Sequence, residues 1–213
     1  MFRILSFLLI VGSLIWLYNF GKKNGFTISD LFKKFFSNFK NLINNISSLK
    51  NELFAQKIKI IKNIFYTITT SLFLVMAISA FLPAIIIGGN LSGIFLLIHV
   101  SFAPFFAISL AITIVLFAHS NQFAKNDFVS QNEIENNKLP KFNNDGYLKL
   151  IFWLMAIFSL PAIISIILNM FPLFGTEGQN ILLEIHRYST LLMFILVVLQ
   201  SGYLATKFRN ELK

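Results

Sequence analysis

The chain has no cysteine among its 213 residues. That excludes disulfides, thiolate metal sites, Cys-ligated iron–sulfur clusters and covalently attached c-type haem. Charge is scarce too: 13% of residues are charged and 56% are apolar. An ordinary soluble domain carries roughly a quarter charged residues, so that class is excluded. Acidic residues are rarest, nine against eighteen Lys and Arg. No carboxylate pair, nucleophile–base pair or phosphate-binding loop is found, so the chain lacks a catalytic constellation of its own. The good transition-metal ligands that remain are three histidines, His99, His119 and His186.

What is present is apolar sequence. A membrane helix needs about 20 mostly apolar residues. Five stretches qualify, at 4–20, 64–88, 91–118, 150–173 and 181–205. They predict an all-α, multi-pass membrane protein. Residues 1–20 form an apolar run after a single arginine. The flank "YNFGKKNG" offers no small-residue cleavage pattern, so this segment is expected to be an uncleaved anchor helix. Residues 21–62 carry nine lysines against Asp30 and Glu52. From Leu31 to Leu53 the apolar positions step by three and four, which predicts an amphipathic helix. Such a helix suits a membrane interface, with phenylalanines at the acyl boundary and lysines at anionic headgroups. Packing on a partner subunit is the alternative. Nucleic-acid binding is not expected, because no recognition motif accompanies the charge. The positive-inside rule puts 21–62 in the cytoplasm, the N-terminus outside and the tail 207–213 inside. Residues 63–206 then form a bundle of four spans.

A histidine within an apolar span is costly and calls for a partner. His99 lies in "SGIFLLIHVSFAP" (92–104), eight residues past Leu91, and His186 lies five past Ile181. In this topology both helices run inward from the outer face. Both histidines then sit roughly 8–12 Å into their helices, where they can approach one metal from opposite sides. The halves also look alike: "FLVMAISAFLPAII" (73–86) is similar to "FWLMAIFSLPAII" (152–164), and each precedes a helix bearing a histidine. A neutral, hydrogen-bonded histidine pair inside the bundle is the plain alternative, and another metal is a further one. His119, twenty residues past His99, falls about 30 Å away along the helix, at the cytoplasmic interface.

On "LLIHV", "EIHRYS" and "ISAFLP", residues 62–206 resemble the four-helix membrane cytochrome b superfamily. That family includes the cytochrome b561 type and the b subunits of formate dehydrogenase and nickel–iron hydrogenase. The resemblance implies haem b ligated by His99 and His186 near the outer face, with Arg187 at the propionates. Di-haem members use a second, inner pair of ligands. Here "NIFYTI" holds no histidine, and Gln200 stands fourteen residues past His186. One haem per chain is therefore expected. The resemblance further implies an electron-transfer subunit of a respiratory complex in the bacterial cytoplasmic membrane, with quinone and an extracytoplasmic redox protein as partners. A haem-free anchor or scaffold is the competing function. A transporter is a weaker third, since intramembrane charges for coupling are almost absent.

Overall fold

A computed structural model of the chain describes residues 2–48, 54–88, 91–128, 142–171 and 173–211. Leu49, Lys50, Glu52, Leu53, Lys213 and most of the polar loop before residue 142 lie outside the described residues. The elements are α1 (Phe2–Asn24), α2 (Ile28–Ser48), α3 (Phe54–Ile86), α4 (Gly93–Ala118), α5 (Asn144–Asn169) and α6 (Gly175–Glu211). Two short 3₁₀ turns, His119–Asn121 and Lys125–Asp127, follow α4. No strand occurs among the described residues, only the isolated bridge Phe128–Phe142. Five helices, all but α2, are long and apolar enough to cross a membrane. The protein is all-α and multi-pass.

The side chains agree with a lipid surround. Large apolar residues stand exposed along the spans, among them Ile78, Phe105, Val115, Ile157 and Leu160, a surface that water would not tolerate. Hydroxyls within the spans turn back onto their own helix. Ser13 donates to the Ile10 carbonyl, Thr67 to Asn63, Thr70 to Tyr66 and Ser201 to Val197. In hydrocarbon such internal bonds are the only cheap way to satisfy these groups.

By contact the chain divides into two compact units. The first comprises Met1–Leu9 and Thr27–His119. Here α3 packs on α4 as an antiparallel hairpin, and α2 packs on α3. Arg3 donates through Nε to the Ile85 carbonyl at 2.8 Å and through Nη2 to Ile86 at 3.1 Å. It thereby satisfies carbonyls that the end of α3 leaves without helical partners. The start of α1 and the end of α3 thus lie on one side. At the hairpin's other end Lys62 sits 5.4 Å over the Phe117 ring, a cation–π contact at the last turn of α4.

The second unit comprises Ile10–Phe26 and Ser120–Lys213. Its core is the α5–α6 hairpin, with Phe152, Ala162, Leu191 and Leu196 buried. Tyr203 stacks on Tyr147 at 5.1 Å and meets Phe20 of α1 at 5.3 Å. Gly202 lets Trp16 close in, since a Cβ there would lie 3.1 Å from the indole. α1 ends in a Schellman motif: Gly25 has φ +70, and the Phe26 amide donates to the Gly21 carbonyl at 3.0 Å. Arg209 donates to the Asn24 carbonyl there, so the ends of α1 and α6 share a side.

Several helices run past their expected bounds. α3 takes in the lysine-bearing "QKIKIIK" that the composition assigned to the basic segment. α5 starts six residues early because Asn143 caps it, its Oδ1 accepting from the Gly146 amide at 2.7 Å. α6 starts at Gly175, and Glu177 in its first turn complements the helix dipole. "GTEGQN" reads as a loop by composition, yet these residue types also suit a first helical turn.

The loop entering α5 is clamped at Asp127, which is 4% exposed. Its carboxylate accepts from the Ala124 amide and from Lys149 Nζ at 2.8 and 2.9 Å. Trp153 Nε1 donates to the Asn121 carbonyl at 2.9 Å beside it. The Ala124 amide first, and Lys149 second, hold the Asp127 carboxyl below the usual carboxylate range, against the opposing effect of burial. A depressed folded pKa means that the clamp stabilises fully above the ordinary aspartate value of about 3.9. It is lost as pH falls through the lower folded value. Trp153 fluorescence in a Trp16→Phe background is expected to stay constant from neutral pH to about 4 and to change only below. Asp127→Ala is expected to show the acid-type spectrum already at neutral pH, with a lowered melting temperature.

Candidate functional site

His99 sits on α4 beside α3. Its Nδ1 lies 3.1 Å from Ser79 Oγ. The Ser79 hydroxyl has one proton, and it donates to the Met76 carbonyl at 3.0 Å. That arrangement suits the tautomer with the proton on Nδ1, in which the Ser79 oxygen accepts; in the other tautomer the hydroxyl donates to Nδ1. His186 sits on α6 beside α5, with its Nδ1 2.7 Å from the Ala162 carbonyl. A carbonyl can only accept, so Nδ1 of His186 carries its proton. With the proton on Nδ1 a neutral imidazole carries its lone pair on Nε2, the nitrogen through which it then coordinates a metal.

The two hairpins also share a register. Ser79 lies seven residues before the end of α3 at Ile86, and Ala162 seven before the end of α5 at Asn169. Each histidine is thus held about 10 Å below the end of the helix that precedes it. Depth counted from the histidine's own helix differs. His99 is six residues into α4, which starts at Gly93, and His186 eleven into α6, which starts at Gly175. The early start of α6 accounts for this. His99 belongs to the first unit and His186 to the second.

Arg187 does not share the His186 face. It donates to Glu184 Oε1 at 2.8 Å, in a half-exposed ion pair. An open groove of about 560 Å³ runs along the α6 face that carries Asn180, Glu184 and Tyr188. Glu184 lies about 200° around the helix from His186, so the groove and the histidine occupy different faces. His119 is exposed at the end of α4, twenty residues from His99. Fourteen residues past each histidine stand Thr113 and Gln200. Thr113 is buried, its Oγ1 2.8 Å from Thr69 Oγ1, and it donates to the Ser109 carbonyl at 2.8 Å. That level of the first hairpin is a packed hydroxyl contact.

Sequence reasoning located both histidines but neither hydrogen-bond partner. Ser79 and Ala162 carry no motif, and only the matched prolines at 83 and 161 marked their neighbourhood. Among the described residues no three His, Asp or Glu side chains converge as a metal site. Comparison with family models, with curated proteins and with solved structures gives no match.

Proposed function

We propose that the chain is an electron-transfer membrane subunit that holds one b-type haem through His99 and His186. The observation that carries this reading is the matched state of the two rings. Each has Nδ1 hydrogen-bonded to an oxygen on the preceding helix, seven residues from that helix's end, a carbonyl for His186 and a hydroxyl for His99. Ligating histidines characteristically donate their other N–H in this way, which sets the tautomer, orients the ring and raises its basicity. The donor set fits a bis-imidazole haem, which needs two nitrogens and no third protein ligand. Bound haem would supply one-electron transfer. The chain's own part would be to ligate through Nε2 of both histidines, to aim the rings through Ser79 and Ala162, and to keep the site apolar. Arg187 would have to exchange Glu184 for a haem propionate to serve it.

In this reading electrons pass between quinone in the bilayer and an extracytoplasmic redox protein, within a respiratory complex of the bacterial cytoplasmic membrane. The N-terminus faces outside and the C-terminus inside. The lysines of 21–62 support that sidedness. A haem-free scaffold is the second reading, favoured by the same two bonds, since they satisfy neutral histidines without any cofactor. Pyridine haemochrome and protein assays on material purified in mild detergent separate the two. One low-spin b haem per chain is expected. A ratio near zero would favour the scaffold, and a ratio near two would mean that a second ligand pair exists.

A further inference from the structure

The amphipathic helix α2 takes no part in the histidine chemistry. Its packing splits its apolar face in two. Leu31, Phe32, Phe35, Phe36 and Phe39 fall within an arc of about 140° at 3.6 residues per turn. Leu31 and Phe35, at one edge of the arc, are half-buried. Phe32, Phe36 and Phe39, across the rest of it, are 57%, 63% and 54% exposed. The chain's own described helices leave these three rings uncovered. Lys40 and Lys33 follow next around the helix, about 40–60° beyond Phe36, and both are exposed. The one acid of α2, Asp30, is engaged in the helix cap: the Thr27 amide and hydroxyl donate to its Oδ2 at 2.9 and 2.8 Å. Thr27 and Asp30 form a capping box, and these bonds from Thr27, the amide first, hold the carboxyl below the usual carboxylate range. The polar face is therefore cationic, with Lys33, Lys34 and Lys40 and no acid besides Asp30.

We propose that α2 is a binding surface for anionic lipid headgroups. Phe32, Phe36 and Phe39 enter the acyl boundary while Lys33 and Lys40 meet lipid phosphates beside them. Charge complementarity selects the occupant. Cationic side chains bordering an apolar strip match an anionic bilayer surface, where each contributes attraction that a zwitterionic surface lacks. A zwitterionic bilayer would take the rings but leave the lysines without counter-charge.

The absence of cysteine makes the test direct. The full chain carrying Phe36→Cys, and separately Ser37→Cys, is spin-labelled and reconstituted in two kinds of vesicle. One is phosphatidylcholine alone, and the other is equal parts phosphatidylcholine and phosphatidylglycerol. Accessibility to oxygen, which partitions into lipid, and to an aqueous nickel complex reports depth. The label at 36 is expected to favour oxygen, with a further shift toward oxygen when phosphatidylglycerol is present. The label at 37 is expected to favour nickel. Lys33→Glu with Lys40→Glu is expected to abolish the phosphatidylglycerol-dependent shift. A label at 36 shielded from both reagents would mean that protein covers the strip, and would overturn the proposal. So would a label at 36 exposed to nickel, or equal depth in both vesicles. A second measurement needs no spin label: quenching by brominated phosphatidylglycerol of a Phe36→Trp chain in a Trp16→Phe, Trp153→Phe background, with absence of selective quenching by the brominated lipid as the overturning result.

Discussion

Replacing His186 by glycine is expected to abolish the low-spin haem spectrum of the purified protein, and replacing His99 is expected to do the same. In the proposed site each substitution removes one of the two ligating nitrogens. Added imidazole is expected to restore the spectrum in the glycine variants, which separates a lost ligand from a lost fold. Ser79→Ala tests the support beneath His99. It removes the hydroxyl hydrogen-bonded to Nδ1, leaving the ring its Nε2 but not this support for its orientation. Loss of such an outer partner weakens metal sites by about 10–100-fold, so haem is expected to be retained at saturation and shed faster on dilution. His119→Ala is expected to change nothing, because His119 stands at the far end of α4. An unaltered low-spin spectrum in both glycine variants would end the bis-histidine reading.

Single cysteines on opposite sides of the membrane are expected to label in an all-or-none pattern. Asn41 on α2 and Thr176 on the first turn of α6 are both exposed, and each becomes the only thiol in the chain. An impermeant maleimide added to intact cells is expected to modify Thr176→Cys and to spare Asn41→Cys until the membrane is broken. The lysine excess of 21–62 motivates the assignment. The two arginines give it internal structure. Arg3 ties the start of α1 to the end of α3, and Arg209 ties the end of α1 to the end of α6. Within each unit those ends must emerge on the same side, as strict alternation of five spans requires. Labelling of Asn41→Cys in intact cells would invert the orientation and move the histidines to the cytoplasmic half.

The class of the protein was written in its composition. Apolar runs of membrane length need no tertiary context, because a span must satisfy its backbone internally wherever it sits. The same holds for α2: steps of three and four from Leu31 to Phe39 define a face at any packing angle. His99 and His186 stood out because a polar ring is costly in an apolar run. The partners of those rings were not legible. Whether His186 meets Ala162 or a residue one turn away depends on how α6 is rotated and shifted against α5, and side-chain packing across the hairpin sets both. Helix ends were misjudged for a related reason: Asn143 and Gly146 suit a loop and a helix start equally, and the choice falls to a capping bond made only on folding. Burial along α2 was likewise invisible, since periodicity marks Phe35 and Phe36 alike as apolar. Tertiary packing, in which α2 lies against α3, decides that α2 buries one edge of its apolar arc and leaves the other exposed.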